Sequence, residues 1–169
     1  MFEKFGEFDS AEELNQKAQD LKDNGDTEEI FELAKENGID KEDAEDFVSG
    51  YQEEFATVLM AAVGKLKVES DELELTGVLE DWKNIVVGLC AEDVKLARMA
   101  RKKGKSLTKC MAKLIAFSFE NKTQVSKEIV KATTINHNGK KEALRGPLYM
   151  GVPSNADVKK IAGQYYKEE

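Results

Sequence analysis

Lys95-Leu96-Ala97-Arg98-Met99-Ala100-Arg101-Lys102-Lys103-Gly104-Lys105-Ser106-Leu107-Thr108-Lys109-Cys110-Met111-Ala112-Lys113 contains the pattern by which the rest of the chain is read. A helix begun near Ala91 runs to Lys103. Gly104 stops it, because glycine enters the left-handed conformation of a helix end without steric cost. Ser106 then caps a second helix reaching about Glu120, its hydroxyl accepting a backbone N–H that would otherwise lack a partner. On that helix Leu107, Cys110, Met111, Leu114, Ile115 and Ser118 share one face, and Lys109 and Lys113 lie opposite.

The same sequence of cap, apolar period and stop recurs upstream. Ser10-Ala11-Glu12-Glu13 fits a capping box, with Ala11, Leu14, Ala18 and Leu21 at helical spacing and Asn24-Gly25 as the stop. Asp26 opens a helix with Ile30, Phe31, Leu33 and Ala34 inward, closed by Asn37-Gly38. Asp40 opens another with Ala44, Phe47, Val48 and Tyr51, broken at Ser49-Gly50. Phe55 to Leu66 reads as a more apolar, central helix. From Val68 to Leu75 apolar and acidic residues alternate, which fits a linker better than a short strand. A helix from near Thr76 carries Val78, Leu79, Trp82, Ile85, Val86 and Leu89, so Trp82 reads as a core anchor.

Downstream, Ser126 to Ala132 reads as a short amphipathic helix and 133–145 as an exposed loop turning at Asn138-Gly139. Gly146 to Pro153 is extended, and Ser154 caps a last helix with Val158, Ile161, Ala162 and Tyr165 inward. The expected fold class is all-α: a compact bundle of about seven to eight short amphipathic helices. With 169 residues, one domain suffices, or two lobes: an acidic helical lobe over 1–67 and a basic helical lobe over 68–169.

Charge separates along the chain. Residues 1–60 hold 19 Asp and Glu against 5 Lys and Arg, a net −14, whereas 61–169 hold 14 against 20, a net +6. Such asymmetry points to nucleic-acid partners. No run approaches a membrane span of about 18 apolar residues, and Met1 to Phe8 lacks the basic flank and apolar run of a signal peptide. With only Cys90 and Cys110 there is no disulfide framework, so a cytoplasmic protein is expected.

No catalytic residue, metal ligand or cofactor is assigned. His137, the single histidine, sits in a polar loop, so a zinc site or a nucleophile–histidine pair has no local ligand set to draw on. Gly104-Lys105-Ser106 resembles the end of a phosphate-binding loop, but position 99 holds Met99 where that loop needs glycine. The carboxylate runs of 1–60, such as Glu28/Glu29/Glu32 and Glu42/Asp43, read as solvated helix faces, and no spacing singles out a metal-dependent nuclease.

What stands out is cationic. Lys95, Arg98, Arg101, Lys102, Lys103, Lys105, Lys109 and Lys113 are eight basic residues with no acidic one between them. At 100° per residue, Lys95, Arg98, Arg101 and Lys102 fall within about 120° on one helix face. These eight are the candidate nucleic-acid or partner-binding residues. They carry no interleaved aromatics, which argues against dedicated single-strand stacking there. Two alternatives stay open: the patch meets a foreign polyanion, or the acidic first 60 residues fold against it.

Five strings carry a family likeness: Glu7-Phe8-Asp9-Ser10-Ala11-Glu12-Glu13-Leu14-Asn15, Ala34-Lys35-Glu36-Asn37-Gly38-Ile39-Asp40, Gly64-Lys65-Leu66-Lys67-Val68-Glu69, Arg101-Lys102-Lys103-Gly104-Lys105-Ser106-Leu107, and Gly151-Val152-Pro153-Ser154 before a Tyr-rich helix. With them the chain resembles type II-A anti-CRISPR proteins of phages and mobile elements of gut Clostridia, and more loosely the small accessory proteins of conjugative plasmids. The first resemblance implies a non-catalytic inhibitor that binds a type II CRISPR effector nuclease with its guide RNA, and DNA as a further contact. The second implies a DNA-binding accessory or regulatory protein of a mobile element. No individual residue role is carried over from either family. Oligomeric state stays open.

Overall fold

Serine and threonine hydroxyls start the helices. The side-chain oxygens of Ser10, Thr57, Ser106, Ser126 and Ser154 accept the backbone N–H of Glu13, Met60, Lys109, Glu128 and Asp157. At Ser154 the box is reciprocal, the Asp157 carboxylate accepting the Ser154 N–H. At Ser10 it is offset by one residue: the Glu13 carboxylate takes the Asp9 N–H at 2.8 Å instead. The structure is a computed structural model describing residues 2–168. Its helices are α1 (Ala11–Asp23), α2 (Thr27–Asn37), α3 (Lys41–Ser49), α4 (Val58–Glu72), α5 (Val78–Glu92), α6 (Val94–Arg101), α7 (Leu107–Glu120), α8 (Lys127–Ala132) and α9 (Asn155–Lys167). Two small antiparallel pairs join them: β1 (Thr123–Gln124) with β4 (Tyr149–Met150), and β2 (Thr134–His137) with β3 (Lys140–Ala143). The fold is mostly helical, with nine helices among the described residues rather than seven or eight, and it is not purely α. Among the described residues no helix is long and apolar enough to cross a membrane.

Two hydrophobic cores form. One gathers Leu14, Leu21, Ile30, Leu33, Phe47 and Phe55 from the acidic segment. The other gathers Leu66, Trp82, Val86, Leu96, Leu107, Leu114 and Tyr166, so Trp82 is buried as its helical period requires. They meet on α4, where Ala61 belongs to the first and Ala62 to the second. The expected lobe boundary after residue 67 falls inside this shared helix.

Several expectations are corrected. The central helix does not begin at Phe55. Asn15 binds both backbone groups of Ala56, accepting its N–H at 2.8 Å and donating to its carbonyl at 2.9 Å. That holds Phe55 and Ala56 extended before Thr57 starts α4. Nor is Val68 to Leu75 a linker, because α4 runs on to Glu72 and buries Glu69 and Ser70. Tyr51 lies beyond the end of α3 and is 86% exposed. The helix expected from Ala91 to Lys103 is shorter: Asp93 ends α5 and starts α6, its carboxylate accepting the N–H groups of Lys95 and Leu96. The loop over 133–145 holds a hairpin. Asn138 and Gly139 both have positive φ (50° and 78°), the two-residue turn whose twist matches flanking strands.

The tightest approach in the fold joins α2 to α4. A Cβ on Gly38 would lie 2.3 Å from the Gly64 carbonyl oxygen, and one on Gly64 would lie 2.2 Å from the Asn37 carbonyl oxygen. Gly64→Ala should therefore destabilise the protein by about 1–3 kcal/mol or prevent folding, the cost of overpacking. Gly88→Ala, in α5 where a Cβ meets nothing within 4 Å, should stabilise it by roughly 0.5–1 kcal/mol. Urea denaturation of the two variants checks both signs.

Candidate nucleic-acid interface

Three of the eight candidate cations are held by distant parts of the fold. Arg101 is only 1% exposed. Its guanidinium donates to Asn37 Oδ1 at 2.7 Å and to the Ala61 carbonyl at 3.4 Å, and it packs near the rings of Phe2 and Phe8. This overturns its placement on an outer cationic face. Helix α6 packs its Arg101 side against α4, and the shared face of a helical wheel does not reveal which neighbour arrives. Arg98 is exposed but paired with Glu12 of α1 at 2.5 Å. Lys105 turns back onto α9, donating to the carbonyls of Tyr165 and Glu168 with its ammonium 5.0 Å from the Tyr165 ring centre.

The other five remain outward. Lys95, Lys102, Lys103, Lys109 and Lys113 are exposed, and none makes an ion pair among the described residues. Lys109 donates only to the Gly104 carbonyl, and Lys113 stands 6.0 Å over the Tyr165 ring. Helix α6, the 102–106 turn and α7 thus present an interrupted row of lysines rather than a continuous face.

Beneath the row lies a buried polar seam that the sequence reading missed. Lys65 is fully buried, its ammonium bonded to Glu7 at 2.5 Å, to the Lys102 carbonyl at 2.8 Å and to the Arg101 carbonyl at 3.4 Å. Glu69, one turn further along α4, accepts the Leu107 N–H at 2.8 Å. Asn37 is buried as well, donating to the Leu33 carbonyl while accepting from Arg101. The available signal was spacing: Ala61, Lys65 and Glu69 recur every four residues, so they share the face of α4 that meets the core. Burial pulls Arg101 down to about 10, so it remains charged at neutral pH. Burial likewise raises the Glu69 carboxyl, opposed by the Leu107 N–H and the Lys65 charge.

The acidic segment keeps much of its charge outward. Asp26, Glu28, Glu42, Asp46, Glu53 and Glu54 are exposed and make no ion pair among the described residues. Both thiols are buried, and burial pushes Cys90 up to about 11 and Cys110 up to about 12, so neither is a nucleophile at neutral pH. Among the described residues no three His, Cys, Asp or Glu side chains group so as to hold a metal ion. Comparison with protein-family models, curated proteins and solved structures finds no significant match.

Two outcomes follow from the seam. Arg101→Ala leaves Asn37 Oδ1 without its donor and a side-chain-sized void, so it should cost about 3 kcal/mol or more, while Lys102→Ala should stay within about 0.5 kcal/mol. Thermal unfolding separates the two. For Glu69 the folded carboxyl binds its proton more readily than the unfolded one. Its contribution is therefore greatest below the unfolded value and is lost as pH rises through the folded value. Glu69→Gln, which still accepts the Leu107 N–H, should gain stability relative to wild type between about pH 4 and pH 7. Paired melts across that range measure the gain.

Proposed function

We propose that this chain is an anti-CRISPR protein: a stoichiometric inhibitor of a type II RNA-guided DNA endonuclease that acts by occupancy and not by catalysis. The observation that carries this reading is charge separation across one fold. A net −14 over residues 1–60 surrounds its own core, with carboxylates such as Glu42, Asp46, Glu53 and Glu54 exposed and in no ion pair among the described residues. Lys95, Lys102, Lys103, Lys109 and Lys113 stand on the other segment. Effectors of this class hold guide and target in positively charged channels. Acidic helices suit such a channel, while the lysines suit guide or target phosphates. Long-range attraction speeds that encounter and weakens with salt. The family resemblance supplies the effector's class.

Target-DNA cleavage by guide-loaded type II-A effectors tests the proposal. Cleavage should fall in proportion to added protein and vanish near equimolar ratio, with inhibition weakening as ionic strength rises. Undiminished cleavage with the protein in molar excess, across several such effectors, overturns it. The five unpaired lysines also favour a second reading, a DNA-binding accessory protein of a mobile element. Under that reading, duplex DNA is bound in the effector's absence, and Lys95→Glu/Lys102→Glu/Lys103→Glu abolishes the binding.

A further inference from the structure

Residues 121–153 form an arm that neither core needs. No described residue between Leu114 and Val158 belongs to either buried cluster, and within the arm only Val130 and Pro153 are buried. Its base is pinned where Gly151 meets the end of α7, a Cβ there lying 2.0 Å from the Ser118 carbonyl oxygen. From that base it sends out α8 and the β2–β3 ribbon, whose eight strand residues are all exposed. The arm holds six Lys and Arg against two Glu, a net +4. None of the six, Lys122, Lys127, Lys131, Lys140, Lys141 and Arg145, makes an ion pair among the described residues. Of the two carboxylates, Glu128 is occupied locally, accepting the Ser126 hydroxyl at 2.6 Å. Ordering such a segment costs conformational entropy that no core burial offsets, and projecting segments of this kind are where binding residues concentrate.

The cations converge on a cleft. Lys127, Lys131 and Arg145 line an open cavity of about 550 Å³ whose walls include Val125, Val130 and Pro147. Gln124 lines the same cleft. Three cations beside apolar walls suit an unpaired strand, with phosphates on the cations and the faces of unpaired bases against Val125, Val130 and Pro147. A duplex offers such a cleft only its hydrated backbone, so the apolar walls would gain nothing from it.

We infer that the arm cleft between β1, α8 and the segment 144–147 binds an unpaired nucleic-acid strand, with Lys127, Lys131 and Arg145 holding successive phosphates and a base seated against the apolar wall of Val125, Val130 and Pro147. The inference goes beyond nuclease inhibition and is tested without any effector. Fluorescence anisotropy of the full chain would use labelled thymidine and uridine homopolymers and a duplex of equal length. The single strands should bind more tightly than the duplex, with log K falling linearly in log salt. Lys127→Gln/Lys131→Gln/Arg145→Gln should weaken single-strand binding at least tenfold and reduce the salt slope by about 2, near 0.7 per phosphate contact. Lys95→Gln/Lys102→Gln/Lys103→Gln should leave it within twofold. All these positions are exposed, and far-ultraviolet circular dichroism verifies folding. The DNA and RNA strands, compared directly, identify the sugar preferred. Absence of single-strand binding at low salt, duplex binding that is equal or tighter, or equal loss in the α6-row variant each overturns the inference. So does competition by phosphatidylserine vesicles as effective as that by unlabelled strand.

Discussion

Everything in the arrangement of the two cores depends on how closely α2 can approach α4. The contact is backbone on backbone, with Gly38 against Gly64, and it leaves no room for a Cβ on either side. Closing that gap brings the Asn37 side chain to the Arg101 guanidinium. It also sets the Lys65 ammonium, one residue beyond Gly64, beneath the chain that leaves α6. Desolvating two cations costs more than their attraction to distant charges returns, unless hydrogen bonds satisfy them directly. The seam offers them the Glu7 carboxylate, an amide and three carbonyls as acceptors, with the Glu69 carboxylate nearby, and leaves Arg101 Nε without a partner among the described residues. The buried charge is formally balanced, which lets an acidic segment and a basic one share a helix without a bare ion between them.

That internal use of cations sets what the surface can do. Arg101 is invisible to a partner. Arg98 is a different case: its pair with Glu12 is more than half exposed on both sides, and such pairs are worth about 0–1 kcal/mol. A phosphate arriving there can compete for the guanidinium, leaving Glu12 to water. The acidic and basic segments therefore touch at Arg98–Glu12, at Lys65–Glu7 and at the Asp9 carboxylate that accepts the Lys103 N–H. The intramolecular reading of the basic stretch holds in part: Arg98 pairs with Glu12 and Arg101 meets Asn37, whereas the side chains of five lysines stay exposed.

The helices were legible because their signals are local. A hydroxyl cap and a glycine stop act within four residues, so Ser10, Ser106, Ser154, Gly38 and Gly104 could be read without knowing any neighbour. What required neighbours was misread. The Val68–Leu75 alternation mimics a linker because Glu69 is acidic, yet Glu69 stays helical to meet the Leu107 N–H, a partner 38 residues away. Phe55 resembles a helix start until Asn15 claims the backbone of Ala56. Arg101 falls with Lys95, Arg98 and Lys102 on any helical wheel, and only the arrival of Asn37 and Ala61 assigns it to the interior. In the arm, Asn138-Gly139 was readable as a turn, but the strands beside it are polar and exposed on both faces, so they carry no period-two hydrophobic signal.

The arm gathers its cations differently from the strongest cationic run in the sequence. Lys95 to Lys113 is dense in sequence because two helices that pack into the second core are joined by a short turn. Five of their lysines are exposed, and none of the five makes an ion pair among the described residues. The arm's cations are sparse in sequence, with spacings from 1 to 9 residues, and they are brought together by a turn and a strand pair. Concavity then adds what density cannot: low-dielectric walls focus the field of Lys127, Lys131 and Arg145 into one volume, beside apolar surface that a hydrated phosphate alone would not need. A run of like charge reports where a chain must stay solvated. A site needs like charges converging on space, which follows from topology.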